Sequence, residues 1–126
     1  MLQKGLSCTV HVSVNPQNTA LYIGSGELDV FATPAMIAAM ENAAMQAVAP
    51  ELPAGSTTVG AEISASHLKP SFIGSVVSVT DVLAEVDGRK LAFNLSAADA
   101  DTLVGEGTHV RYIVDSERFM AKAAKK

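Results

Sequence analysis

One cysteine, Cys8, stands in 126 residues, so no disulfide can form within the chain. A reducing compartment, the cytoplasm, fits that usage. No lysine or arginine occurs between Lys4 and Lys69, and the net charge is −4. A nucleic-acid surface needs clustered cations, which half of this chain lacks. No run reaches the ~18 apolar residues that span a membrane. The first residues carry one lysine and then alternate polar with apolar, which does not read as a signal peptide. Cys–x–x–Cys, His–x–x–x–His and the glycine-rich phosphate loop ending in Gly–Lys are all missing, so no metal site is expected. The glycines of Gly105 to His109 sit inside a strand-like run and carry no phosphate-loop logic.

What is present reads as one globular domain: 48% hydrophobic and 17% charged residues, without repeats or a linker. Its length buries a core without a disulfide or metal. Lys122, Lys125 and Lys126 read as the solvated basic end of a helix.

Leu6 to Val14 alternates as a half-buried strand, with Cys8, Val10, Val12 and Val14 inward and His11 outward. Asn15 to Asn18 breaks it, Thr19 to Ile23 reads as a short extended piece, and Gly24 to Gly26 as a loop. Thr33 is an N-cap candidate, followed by Pro34 at a first helical position. A helix is expected from Pro34 to about Ala49, stopped by Pro50 and Pro53. It carries one charge, Glu41, and is apolar nearly all round, the pattern of a buried helix.

The remainder alternates as sheet. Thr57 to Ser66 places Val59, Ala61, Ile63 and Ala65 on one face, and His67 continues that phase. Phe72 to Val86 is a long β-branched run, and Asp87-Gly88 signals a hairpin. Lys90 to Ala98 turns Leu91, Phe93, Leu95 and Ala97 inward. Thr102 to Asp115 places Val104, Val110, Tyr112 and Val114 together, turns His109 and Arg111 outward, and carries a bulge or bend at Gly105 and Gly107. Ser116 caps a short terminal helix. One long helix for a whole sheet gives an α+β fold, a curved antiparallel sheet packed on a central helix.

Three polar residues need a reason. Glu41 lies among Ile37, Ala38, Ala44 and Met45. It either reaches solvent or a structural ion pair, or it is a functional carboxylate. His67, inward by phase, is either a satisfied core histidine or an acid–base partner for Glu41. Thr33 is either a plain cap or a donor, with the helix N-terminus, to an oxygen gaining charge. Thr33 and Glu41 are eight residues apart, about 12 Å along a helix, too far for one small group to touch both. A site using both would be completed by a second subunit.

The chain resembles the hotdog-fold thioesterases, and among them the fluoroacetyl-CoA thioesterase-like group. The resemblance rests on Val30-Phe-Ala-Thr-Pro, Met40-Glu41, Val48-Ala-Pro-Glu-Leu, Val59-Gly-Ala, Ser66-His67, Val86-Asp-Gly-Arg and Gly105-Glu-Gly-Thr-His109, over residues 28 to 120. The spacing Thr–x7–Glu–x25–His matches that group's catalytic set. The resemblance implies a sheet wrapped around the helix and a homodimer, or a dimer of dimers, with active sites at the interface. It implies hydrolysis of an acyl-CoA, with coenzyme A as part of the substrate and no separate cofactor. Thr33, Glu41 and His67 take the catalytic roles. Gly60, Phe31 and Pro34 line the substrate site. Candidate cations for the coenzyme A phosphates are Lys69, Arg89, Lys90, Arg111 and Arg118. The family's fluoroacetyl specificity goes with a phenylalanine-bearing segment before the helix. Here Asn18 to Asp29 is short and holds Tyr22 but no phenylalanine, which points to another short or medium acyl group. The alternative is a non-catalytic hotdog module that binds acyl-CoA or another apolar ligand. A hotdog dehydratase would need a different Asp/His arrangement.

Overall fold

The computed structural model describes residues 2–124. The order is β1 (Ser7–Ser13), α1 (Ala20–Ile23), α2 (Thr33–Val48), β2 (Ser56–His67), β3 (Val76–Asp87), β4 (Lys90–Asp99), β5 (Thr102–Asp115) and α3 (Ser116–Ala124). The five strands form one antiparallel sheet in the order β1-β3-β4-β5-β2. α2 packs on its inner face. Met36, Met40, Ala44 and Val48 meet Val77, Val79 and Leu83 of β3 and Leu91, Phe93, Leu95 and Ala97 of β4. Full burial of each large apolar side chain contributes about 1.5–3 kcal/mol. The sheet covers one side of the helix only. Thr33, Pro34, Ala38, Asn42, Met45 and Gln46 are exposed, so the expectation of a helix buried all round fails for the single chain.

The helix starts one residue earlier than expected. Ala32, extended at φ −72° and ψ 136°, is the capping position, and Thr33 is the first helical residue with its hydroxyl free for another partner. After Val48 the chain tightens into a 3₁₀ turn, Ala49–Glu51. Thr19 to Ile23 is helical rather than extended. The Thr19 hydroxyl accepts the Tyr22 N–H, and Gly24 closes the turn at φ 91°. The run from Phe72 is interrupted by Gly74 at φ 102°, and β3 begins only at Val76. Asp115, not Ser116, caps α3, its carboxylate accepting the Arg118 N–H at 2.9 Å. Of the three basic residues expected at the end of that helix, Lys125 and Lys126 lie outside the described residues.

The sheet carries register shifts at Ala61, Ala84 and Val104, and the first and last decide which side chains of β2 and β5 face the helix. In β2, Gly60 pairs with Arg111 and Glu62 with Val110, so Ala61 is an extra, unpaired residue. Thr58 and Gly60 face inward before it, and Ile63, Ala65 and His67 after it. His67 is inward as expected, but Val59 and Ala61 do not share its face. In β5, Ala97 pairs with Gly105 and Ala98 with Leu103, so Val104 is the extra residue. Beyond it Gly105, Gly107, His109 and Arg111 face inward, and Tyr112 is exposed. The outward expectation for His109 and Arg111 is therefore reversed. One inserted residue resets the two-residue period and sends the rest of the strand to the other face.

Candidate active site

Two groups of inward polar side chains stand at the two ends of the exposed face of α2. The first joins Thr33 and His67, whose hydroxyl oxygen and Nδ1 share a hydrogen bond of 2.7 Å. Phe31, almost fully buried, holds the imidazole edge-on with ring centroids 6.3 Å apart. Burial lowers the His67 pKa, which keeps the ring neutral. Its Nε2 is buried without a protein partner. Phe31, Thr33 and His67 line one cavity of about 260 Å³. Pro34 is exposed in the first turn of α2 and is not among the lining residues.

The second group surrounds Glu41. Its side chain is 42% exposed, and Oε2 lies 3.9 Å from Arg111 Nη1. A methyl group on Gly60 would sit 2.8 Å from that same oxygen, so the strand passes the carboxylate as closely as only glycine allows. Arg111 is itself fixed. Its Nε–H donates to Thr58 Oγ1 at 2.8 Å, and an Nη2–H to the Thr58 carbonyl at 2.9 Å. An Nη1–H donates to His109 Nε2 at 3.2 Å. Because arginine has no acceptor, that contact assigns the His109 proton to Nδ1, which donates to the Glu62 carbonyl at 2.8 Å. Burial, with Arg111 adding to it, lowers the His109 pKa and favours this neutral form. The result is a chain from the β2 backbone through His109 and Arg111 to the carboxylate. It supplies a fixed cation 3.9 Å from Glu41.

Thr33 with His67 and Glu41 with Gly60 are thus brought together pairwise. The two pairs stay apart within one chain, about two helical turns on α2. Sequence reasoning missed His109 and Thr58 and placed Arg111 on the surface. The shared parity of Gly105, Gly107, His109 and Arg111 was the available signal, since small residues mark where a sheet lets a helix approach. Of the other expected cations, Lys69 lines the cavity beside Thr33, Arg89 and Arg118 line a second cavity, and Lys90 is exposed. Cys8 is half-buried on the helix side, its Sγ 4.0 Å from Gln46 Oε1. Burial, then Asp81, pushes its thiol pKa up, which suppresses thiolate chemistry. Among the described residues no His/Cys/Asp/Glu group could hold a metal ion, and no helix is long and apolar enough to cross a membrane.

Known proteins share the fold. The family model described as fluoroacetyl-CoA-specific thioesterase (FlK) matches residues 14–117. The fluoroacetyl-CoA thioesterase of Streptantibioticus cattleyicolor is 39% identical over 98 residues, 78% of this chain and 70% of that one. A solved structure of the fluoroacetyl-CoA thioesterase FlK superposes with a TM-score of 0.92 at 32% identity, covering 100% of this chain and 98% of the other. A thioesterase superfamily member from Thermus thermophilus shares the fold, with a TM-score of 0.91 at 23% identity over 99% and 93% of the two chains. With its one long helix against a curved five-stranded sheet, the chain belongs to the fluoroacetyl-CoA-specific thioesterase family and is by that membership a hotdog-fold thioester hydrolase.

Proposed function

We propose that the protein hydrolyses a short or medium acyl-CoA thioester at a site shared between two copies of the chain, using Thr33 and His67 of one and Glu41 of the other. The observation that carries this is that the two pairs meet at both ends, Thr33 bonding His67 and Glu41 approaching Gly60, so that they share a midpoint. Thr33 and Glu41 are centred on Ile37 of α2, on its open side. His67 and Gly60 are centred between Ile63 and Ser64 of β2, the last strand of the sheet. A single two-fold axis near Ile37 and Ile63 would set α2 against its copy and β2 against its copy, both antiparallel. Thr33 then meets the second Glu41 as His67 meets the second Gly60. The exposed face of α2, with Pro34, Ala38 and Met45, would be covered in the same step.

In such a site the Thr33 hydroxyl and the free N–H groups of the first turn of α2 polarise the thioester oxygen. Glu41 attacks the carbonyl carbon, giving an anhydride that water opens, or takes a proton from the water that attacks. In either route the carboxylate acts beside the Arg111 guanidinium, 3.9 Å from Oε2. The carbon–sulfur bond breaks, and the departing thiolate takes up the proton that the attacking water gives, with His67 as the candidate shuttle. Protein groups and water supply this chemistry, and coenzyme A enters only as part of the substrate. A reducing cytoplasmic setting suits the lone, half-buried Cys8.

Thiol release from an acyl-CoA panel, with wild type and Glu41→Ala in parallel, tests the reading. Release that depends on Glu41 supports it. Unchanged turnover in both Glu41→Ala and Glu41→Gln removes Glu41 from the mechanism. A folded protein that releases nothing would be a binding module.

A further inference from the structure

The cavity beside Thr33 and His67 is larger than a two-carbon acyl group needs. Its volume is about 260 Å³, whereas an apolar protein cavity of about 150 Å³ already takes benzene. Val30, Leu68, Pro70 and Ala20 supply most of the remaining lining, with Ser25 at one side. Backbone hydrogen bonds pin these walls. Ala20 N–H donates to the Val30 carbonyl at 2.8 Å, Phe31 N–H to Ser71 at 2.9 Å, and Leu68 N–H to Val104 at 2.7 Å. The short segment before α2 is thus tied down as a wall, and the space behind the catalytic pair is built into the fold. Lys69 is the one cation that lines it. Its side chain is exposed, so the stem covers the cavity while the ammonium reaches water.

The opposite end of the sheet is chemically different. Arg89, Arg118 and Lys122, over Val114 and Phe119, line a second cavity of about 180 Å³. Asp115 lines it too, its carboxylate engaged by the Arg118 N–H. Asp115 pairs with Ser56, four residues along β2 from Gly60 at Glu41, about 13 Å away. In the two-fold arrangement the apolar cavity, with Thr33 and His67, would face the second copy's Glu41, and that copy's basic end would lie about 13 Å further along β2. Val114 has the strand phase opposite to Arg111, so the nucleotide would reach these cations around the end of the sheet.

We propose, on the basis of the thioesterase reading above, that the acyl group is a neutral, bulky one, a medium-chain or aryl acyl. It fills the cavity of Val30, Phe31 and Leu68, and the coenzyme A phosphates lie on Arg89, Arg118 and Lys122.

The test is kcat/KM for acetyl-, fluoroacetyl-, butyryl-, hexanoyl-, phenylacetyl- and glutaryl-CoA. Hexanoyl- or phenylacetyl-CoA is expected to exceed acetyl-CoA by about tenfold or more, the scale of added apolar contact in a fitted pocket. Val30→Trp, which fills the cavity, is expected to shift the hexanoyl-to-acetyl ratio back by about tenfold. Ser25→Phe, made in an exposed turn, repeats that test if Val30→Trp does not fold. Release confined to acetyl- and fluoroacetyl-CoA overturns this inference and leaves the hydrolase reading standing. A preference for glutaryl- over hexanoyl-CoA, or a ratio that neither variant moves, also overturns it. Release from no member overturns the hydrolase reading itself.

Discussion

Gly60 and the Glu41 carboxylate are in such close approach that a methyl on Gly60 would lie 2.8 Å from Oε2. The obstructed atom is the end of a flexible side chain, so the carboxylate can swing away while the sheet stays intact. Gly60→Ala is expected to fold with near-native stability and to lose about 100-fold in kcat, the scale of a misplaced reacting group. Gly107 is the contrast. A methyl there would strike the Ser64 carbonyl and Ala65 backbone across the β2–β5 ladder. Gly107→Ala is expected to lose stability first. Thermal unfolding beside steady-state kinetics separates the two.

Arg111 holds four groups at once: Glu41, His109 Nε2, and both oxygens of Thr58. Arg111→Lys keeps the charge but not the fork. Stranded buried acceptors cost about 1–3 kcal/mol each. The variant is expected to lose about that much stability and to lower kcat by more than it changes KM. Urea denaturation with kinetics checks both, and native-like kcat would leave Arg111 a purely structural role.

The proposed trans-subunit site makes a statistical prediction. Thr33→Ala and Glu41→Ala should each be inactive alone. Unfolded and refolded together, half the dimers are mixed and carry one site with both residues intact, so about a quarter of wild-type activity should return. A site within one chain would recover none.

Asp81 sits fully buried on the inner face of β3, and neither carboxylate oxygen has a hydrogen-bond partner. Desolvation pushes its pKa from 3.8 up to about 7, only partly offset by nearby backbone N–H groups. The folded state therefore holds its proton where the unfolded chain has released it. Stability is highest below about pH 4 as far as this group is concerned, and declines as pH rises to about 7, by a few kcal/mol. Asp81→Asn is expected to flatten that slope and to raise the denaturation midpoint at pH 8. An unchanged slope would assign the pH dependence to other groups.

The sequence by itself determined the elements and the family. Alternation marked β1, β2, β4 and β5, a β-branched run marked β3, Asp87-Gly88 the hairpin between β3 and β4, and the two prolines after Val48 the end of the helix. These are local signals, set by backbone sterics and side-chain period. Thr33, Glu41 and His67 stood out because a polar group in an apolar setting needs a partner. The partners themselves were decided by the tertiary structure. The bulges at Ala61 and Val104 invert strand parity, and the glycines beside them do not say which residue is the extra one. His109 and Arg111 therefore read as surface until the ladder with β2 and β4 turned them towards Glu41. Asp81 stayed unremarked because its burial comes from strands on both sides and α2 above, not from its own neighbours in the chain. Composition marked α2 as a helix to be covered. The fold decided that this chain covers only one side of it, since one sheet can wrap only one face.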